Sequence, residues 1–220
     1  MATKKSEATG KKILDAALDL FREEGFDETT MRAIAARADV ATGAAYYYFP
    51  SKDAIVLAFY ERSTAEMEPK IASALDGAKG FEQKLREAIR VKLDYFTPNR
   101  GVLRALLRNG ADPKHPLSPF GTETKSIRDA DLAWFRKVID DGGIRVPKDL
   151  DPELPGVLWL FQMGVIFFWV IDESAAQART TRMLELGPKI VTGLLRIAGL
   201  PLMRPVRKVA LELIEIVAKP

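Results

Sequence analysis

Cysteine is absent from this chain of 220 residues, and histidine occurs once, at His115. Without cysteine there is no disulfide bond, no thiolate-bound metal and no cysteine nucleophile. The single histidine lies in a proline-containing loop without a serine or aspartate partner of the kind that nucleophilic catalysis uses. The sequence also has no phosphate-binding glycine loop, dinucleotide fingerprint or metal-ligand spacing. We therefore expect a protein that is not an enzyme and that has no cofactor and no metal.

An excess of one charge is also missing. The formal net charge is only +3, which is not the character of a general polyanion binder. Within residues 1–52 basic and acidic residues are equal in number, but most of the acidic ones fall between Asp15 and Glu28. All of the basic residues except Arg22 precede or follow that stretch, and together they predict a phosphate-facing surface despite the neutral sum: Lys4, Lys5, Lys11, Lys12, Arg22, Arg32, Arg37 and Lys52. A solvated, disordered leading arm is the alternative interpretation of the first lysines.

Strand-like alternation and internal repeats are absent, and breakers divide the chain into helical segments. The hydrophobic content of 47% is enough for a sizeable core in one or two domains. The predicted class is all-α. Predicted helices cover residues 13–21, 30–38, 42–49, 51–75, 81–96, 99–109, 122–139, 152–172, 175–198 and 206–217. The last has one apolar stripe, formed by Val206, Val209, Ala210, Leu213, Ile214 and Val217.

The most informative segment runs from Thr30 to Phe49 and reads as a short helix, a turn and a second short helix. Thr30 is a good N-cap, and Ile34, Ala35 and Ala38 then form an inward apolar stripe. Asp39 and Val40 make the turn, with Val40 expected in the core. This spacing predicts a helix-turn-helix, which places one helix in the major groove of DNA.

The second helix of this motif is expected to begin at a Thr42 cap and to leave a face without bulk at Gly43, Ala44 and Ala45. Tyr46, Tyr47 and Tyr48 follow and spread around almost a full turn. At most one of them can be wholly buried, so at least one hydroxyl should face solvent or a phosphate oxygen.

Over residues 9–60 the chain resembles the TetR (tetracycline-repressor-like) family of transcriptional regulators. The resemblance rests on the preceding helix, Ile13 to Phe21 closed by Gly25-Phe26, and on Thr29, Thr30, Ile34, Ala35, Val40, Gly43, Tyr46, Phe49 and Lys52. The chain departs from the family pattern at three positions. Asp39 replaces a glycine in a left-handed turn position, and Ala41 and Ala44 replace common hydroxyl residues.

The resemblance implies a three-helix DNA-binding domain at residues 1–55, with its motif at about 30–49. A long helix would join it to a helical effector-binding and dimerisation domain at 56–220. Carried over by position, Arg32 and Thr42 approach base edges, and Thr30, Tyr46 and Lys52 grip phosphates. Tyr47 can do either, and Gly43 keeps the approaching face bare. In the alternative interpretation Tyr46 and Phe49 are core residues, Phe49 above all, and Arg32 is a solvated charge.

The stretch Leu154 to Ile171 carries no charged side chain and reaches the lower length limit of a membrane span. Acidic residues flank it on both sides, however, and it contains Pro155, Gly156, Gln162 and Gly164. A lone span would favour nearby lysine or arginine. A helix covered by its own core and by a second subunit is therefore preferred over a membrane span. The N-terminus does not have the pattern of a signal peptide, and we expect a cytoplasmic protein.

The family resemblance also implies homodimerisation through helices 152–172 and 175–198, with 206–217 as an additional packing helix. It further implies a cavity for a small apolar or aromatic effector, with few charges around it. The candidate residues are Phe59, Trp134, Trp159, Gln162, Met163 and Phe167. An aromatic-rich core is the plain alternative. The amide of Gln162 needs a partner, which can be a ligand, a backbone carbonyl or the dimer mate.

Three functional hypotheses follow. The first is a dimeric repressor that an effector releases from palindromic double-stranded DNA. The second is a small-molecule-binding helical protein that activates transcription or has a reduced DNA-binding role. The third is a membrane-tethered regulator that uses Leu154–Ile171.

Overall fold

The computed structural model describes residues 4–110, 112 and 114–218, excluding the side chains of 4, 5, 108–110 and 214–218. Within this described part every regular element is a helix, which confirms the predicted all-α class. The helices are α1 Lys4–Glu23, α2 Met31–Arg37, α3 Thr42–Tyr48, α4 Lys52–Gly77, α5 Gly80–Phe96, α6 Arg100–Gly110, α7 Lys125–Asp140, α8 Leu154–Ile171, α9 Ala178–Ala198 and α10 Arg204–Ala218. Short 3-10 helices occupy Thr97–Asn99, Ala175–Gln177 and Pro201–Met203.

Two helix starts differ from the prediction in ways that matter for function. Helix α1 begins at Lys4, so Lys11 and Lys12 belong to a helix and not to a disordered arm. Helix α9 begins at Ala178, three residues later than expected, because Ala176 and Gln177 adopt left-handed backbone angles with φ of 49° and 55°.

The described residues form two compact units. Unit 1 contains the residues up to Glu66 together with Tyr95–Arg128. In it α2 packs against both α1 and α3, and α6 packs against α1. Fully buried side chains from four successive helices form its centre, namely Ile13, Ile34, Ala45 and Ile55.

Unit 2 contains Met67–Asp94 and the residues from Asp129 onward. Its core is large and mostly aliphatic, with α8 packed on α9. The most deeply buried side chains come from α4, α5, α7 and α8, and they are Leu75, Leu85, Ile89, Phe135, Val138, Leu158, Val165 and Trp169. Compactness and independent folding are different properties, so the domain boundary at residue 55 stays a prediction.

A buried carboxylate joins α8 to α9. Asp172 Oδ2 accepts hydrogen bonds from the backbone N–H of Thr180 at 2.9 Å and from its hydroxyl at 2.6 Å. Asp172 Oδ1 accepts from the hydroxyl of Ser174 at 2.7 Å. The Thr180 hydroxyl in particular lowers the pKa of Asp172 below its ordinary value. This junction explains the late start of α9, because the carboxylate binds the first turn of the helix.

Helix α10 turns away from α9 by 93° and is held by Arg207, whose Nε donates to Asp149 Oδ2 at 2.9 Å. Val206, Val209 and Leu213 of the predicted stripe are 56%, 67% and 61% exposed. These described members of the stripe are therefore uncovered within the chain, and the role of residues 206–217 as an additional packing helix in a dimer stays a prediction. The members of the stripe at positions 214 and 217 lie outside the described side chains.

Candidate nucleic-acid interface

Helix α2 is capped and buried as its sequence predicts. The hydroxyl oxygen of Thr30 accepts a hydrogen bond from Ala33 N at 3.1 Å, which satisfies one of the free N–H groups of the first turn. Ile34 and Ala35 face the core at 0% and 1% exposure, whereas Arg32 is exposed. The outer face of α2 is thus open to a partner.

The turn after α2 places Asp39 in the left-handed region, with φ of 52°. This confirms that Asp39 stands at a position that favours glycine. Val40 is only half-buried, so its expected place in the core is wrong. Ala38, which continues the stripe of α2 by one turn from Ile34, is the buried residue at 1% exposure. Val40 comes after the chain has reversed and lies at the rim.

Helix α3 begins without a side-chain cap. Its N-cap is Ala41, which has no hydroxyl, and Thr42 is the exposed first residue of the helix, so the prediction of a Thr42 cap is wrong. Gly43 is exposed, and a Cβ added there would meet nothing within 4 Å. Glycine costs about 1 kcal/mol relative to alanine in a helix, and the chain's own packing does not require it here. A glycine would be required at this position if another molecule approached the surface of α3 closely.

The three tyrosines divide into two exposed rings and one packing ring. Tyr46 is 51% exposed and Tyr47 is 83% exposed. Tyr48 is half-buried, and its ring lies 3.5 Å from the place where a Cβ on Gly10 would sit. Phe49 is half-buried and so is not the fully buried core residue that the sequence favoured. Tyr46 and Tyr47 therefore present exposed side chains, which agrees with the expectation that at most one of the three tyrosines is wholly buried.

Lys52 holds together the loop that precedes α2. Its ammonium donates to the carbonyl oxygens of Phe26 at 2.6 Å and Asp27 at 3.1 Å, and it lies 4.6 Å from the centre of the Phe26 ring. Two of its three N–H bonds are therefore directed into the protein. The remaining one is what the ammonium can offer to a phosphate.

Several of the basic residues near the motif are already paired with acids. Arg37 forms a two-pronged pair with Glu23 and lowers the pKa of that carboxyl, and the Arg22 guanidinium contacts Asp19. Lys12 lies 3.6 Å from Asp39. Among the described side chains of this region, Lys11 and Arg32 have neither an ion pair nor a hydrogen bond. In the sequence Lys11 cannot be distinguished from the other basic residues near the motif, because only the fold shows which lysines stay unpaired.

Two family profiles match the chain. The profile "Bacterial regulatory proteins, tetR family" matches residues 13–59, and "Tetracyclin repressor-like, C-terminal domain" matches residues 84–211, more than half of the chain. The chain belongs to the tetR family of bacterial regulatory proteins. By class it is a DNA-binding regulator with a helix-turn-helix and not an enzyme.

Curated relatives carry regulator names. A 74-residue stretch is 39% identical to the HTH-type transcriptional repressor KstR of Mycobacterium tuberculosis and covers 33% of this chain and 34% of that protein. A 166-residue stretch is 24% identical to the uncharacterized regulator YhgD of Bacillus subtilis and covers 72% of this chain and 83% of YhgD. The matching part of this chain thus spans about a third of the length of KstR.

Solved structures share the fold. The TetR transcriptional regulator of Nitrosomonas europaea superposes with a TM-score of 0.64 at 21% identity, over 82% of this chain and 96% of that one. FadR of Bacillus subtilis, in complex with stearoyl-CoA, gives a TM-score of 0.62 at 19% identity, over 80% and 96%. At such identities the likeness is one of fold alone.

The residues predicted to bind an effector are distributed over both units. Phe59 is 2% exposed in unit 1, where it lines a cavity of about 310 Å³ with mostly polar walls, including Asp15, Arg62 and Tyr95. The other five belong to unit 2: Trp159 and Gln162 are buried, Trp134 and Met163 are half-buried, and Phe167 is 39% exposed.

The partner of Gln162 is a side chain of its own chain. Its Nε2 donates to Asp131 Oδ2 at 2.9 Å, and Asp131 Oδ1 also accepts from Lys92 Nζ at 2.6 Å. The side chains of Lys92 and Asp131 are only 9% and 13% exposed. This partner was not among the three that the sequence suggested, and a ligand contact of Gln162 stays a prediction. A buried ion pair lies beside Gln162, where the sequence suggested few charges.

Proposed function

We propose that this tetR-family protein is a dimeric repressor that binds a palindromic operator through the exposed surface of α2 and α3. Arg32 and Thr42 are the residues that approach base edges, because both are exposed on the outer face of the motif. The observation that carries the proposal is the open face at Gly43 of α3, together with the exposed Arg32 of α2, which has no ion pair or hydrogen bond with the described part of the chain. Arginine is the most effective reader of guanine because it binds two acceptors at once.

Three residues would contact phosphates in this proposal. The Thr30 hydroxyl accepts from Ala33, which leaves its own proton free to donate to a phosphate oxygen. Tyr46 offers an exposed hydroxyl, and Tyr47 can serve phosphate or base. Lys52 supports the interface mainly by fixing the loop at Phe26 and Asp27, and it contributes one N–H to phosphate.

Dimerisation is proposed through α8 and α9. Each leaves a line of apolar side chains uncovered at intervals of three, four or seven residues, which is one face of a helix. On α8 the line is Leu160, Phe167 and Ile171, and on α9 it is Leu186, Ile190, Leu194 and Ile197, all between 39% and 62% exposed. Pairing of both helices with their symmetry mates would cover them.

Helix α8 is long and apolar enough to cross a membrane by length and composition, and 39% of it is buried within the chain. We favour a core and dimer helix, because Leu158, Val165 and Trp169 on its inner face are buried in unit 2. A cytoplasmic location follows from this proposal.

Selection from random DNA is the first test. We expect it to recover a palindrome that the wild-type protein binds in a salt-dependent manner, since phosphate contacts release counterions. Arg32→Ala should weaken binding about 10-fold or more, as the loss of a base contact costs about 1–3 kcal/mol. Arg37→Ala is the matched control on the same helix, because its guanidinium is already paired with Glu23. Recovery of no motif would favour the alternative of a reduced DNA-binding role, which Ala41 and Ala44 motivate.

The effector is proposed to be a small apolar or aromatic molecule that contacts Trp134, Trp159, Gln162, Met163 and Phe167 in unit 2 and releases the operator. Mass spectrometry of molecules that co-purify with the protein tests this. A molecule that lowers operator affinity, and whose effect disappears in Trp159→Ala, would support it. An effector that raises operator affinity would instead identify a regulator that binds its operator when the effector is present.

A further inference from the structure

A second cavity, of about 630 Å³, lies within unit 2 and is not lined by any of the residues predicted to bind the effector. Its walls come from the start of α5, the loop between α7 and α8, and the last turns of α9. Cavities of about 300–1,000 Å³ are the usual size of small-molecule sites.

Three basic side chains line this cavity, namely Lys79, Arg145 and Arg196. None of their side chains has an ion pair or hydrogen bond with the described part of the chain. Two other arginines of unit 2 are paired with acids, since Arg136 contacts Asp140 and Asp151, and Arg207 contacts Asp149.

One acidic residue, Glu82, also lines the cavity, and it is not within ion-pair distance of those three cations. The cavity therefore has a net positive lining. Clustered like charges repel one another until a counter-charge is bound, so an anion is the favoured occupant.

The inner wall of the cavity is apolar. Phe81 and Leu195 are each 4% exposed, and Ile144 is half-buried beside them. Gly142 lets the loop lie directly on α5, because a Cβ there would be 2.5 Å from the carbonyl oxygen of Val138 and 3.0 Å from Phe81 Cα. Contacts this close fix the wall in place.

We propose that this cavity binds a small amphipathic anion. A carboxylate or phosphate head group would lie among Lys79, Arg145 and Arg196, and a short apolar chain would lie against Phe81 and Leu195. An inorganic anion would leave the apolar wall unused, and a neutral lipid would leave the cations without a counter-charge. This cavity is separate from the proposed effector site, and the proposal that it binds an anion does not depend on DNA binding.

Calorimetric titration of the full chain with three probes tests the proposal, using dodecanoate, 1-dodecanol and inorganic phosphate, all below any micelle-forming concentration. We expect dodecanoate to bind at one molecule per chain, at least 10-fold more tightly than the other two. The double variant Arg145→Gln/Arg196→Gln should weaken dodecanoate at least 10-fold. Both residues are exposed, so the variant should fold normally, which circular dichroism would check.

Arg182→Gln is the matched control, since Arg182 lies on α9, pairs with Glu185 and does not line the cavity. Equal binding of dodecanoate by the double variant and the wild type would overturn the proposal. So would equally tight binding of dodecanol or of phosphate, or loss of dodecanoate binding in Trp159→Phe. Operator affinity without ligand should be the same in the double variant and the wild type, so that failure here and failure of the DNA-binding proposal remain distinguishable.

Discussion

Two threonines of the motif look alike in the sequence but have different structural roles. Thr30 caps α2 through its hydroxyl, whereas Thr42 follows the uncapped Ala41. Thr30→Ala should therefore lower the free energy of unfolding by about 1 kcal/mol. Thr42→Ala should change it by much less, because no cap is lost. Urea unfolding of both variants checks this, and equal losses would contradict the assignment of the cap.

Asp39 gives a second residue-level prediction. Its left-handed φ of 52° is tolerated by aspartate better than by alanine and is adopted freely by glycine. Asp39→Ala should accordingly be less stable than Asp39→Gly by about 1 kcal/mol. Thermal unfolding of the two variants side by side measures the difference. A more stable alanine variant would show that residue 39 is not left-handed in solution.

At the residue scale, the burial of side chains was predicted correctly within helices, where periodicity controls it, and wrongly at the ends of helices. The buried stripe of Ile34, Ala35 and Ala38 follows from the helical repeat and is confirmed. Val40 and Phe49 were placed wrongly, because each follows the last turn of a helix, where the repeat no longer says which way a side chain points. The roles of the motif residues toward DNA stay predictions.

At the scale of elements, the Asp172 junction makes stability depend on pH. The Thr180 hydroxyl and, to a smaller extent, Ser174 hold the pKa of Asp172 below its ordinary value. A lowered folded-state pKa stabilises the protein above the unfolded value of about 3.9, and this stabilisation is lost as the pH falls. Asp172→Asn should thus be less stable than the wild type at pH 7, and the difference should narrow below about pH 4. Unfolding by urea at several pH values measures it, and a constant difference would contradict the assignment.

The buried group of Lys92, Asp131 and Gln162 gives the second element-level prediction. Removing one partner of a buried ion pair leaves an uncompensated charge, so Asp131→Ala should cost about 3–5 kcal/mol. The double variant Lys92→Met/Asp131→Asn removes both charges and keeps an acceptor for Gln162, so it should cost less than the single change. Chemical unfolding of both variants tests this order. A double variant that is less stable than Asp131→Ala would contradict it.

The sequence predicted most helices but could not predict this group. Gln162 and Asp131 are 31 positions apart, and Lys92 is a further 39 positions from Asp131. Helical periodicity reports which face of a helix is buried, but not which other helix covers it. The start of α9 was predicted wrongly for the same reason, since it is set by Asp172 at the end of α8.

For the whole molecule the central prediction concerns assembly. Leu194, 61% exposed on the apolar line of α9, should lie in the dimer interface. Leu194→Glu would place a charge there and should give a monomer with reduced affinity for a palindrome. Thr181→Glu, an exposed change about 140° around the same helix, is the control and should remain dimeric. Light scattering over a range of concentrations distinguishes the two. A wild-type monomer would remove the dimeric part of the proposed function.

Lys52 has a practical consequence for protein engineering. A chimera that transfers the chain up to the end of the helix-turn-helix to another regulator would be cut after Phe49. Such a cut would separate the ammonium of Lys52 from the carbonyls of Phe26 and Asp27 that it holds. A working chimera of this protein should therefore carry the first turn of α4 together with α1, α2 and α3. A junction placed before Lys52 should yield a hybrid in which α2 and α3 are poorly positioned.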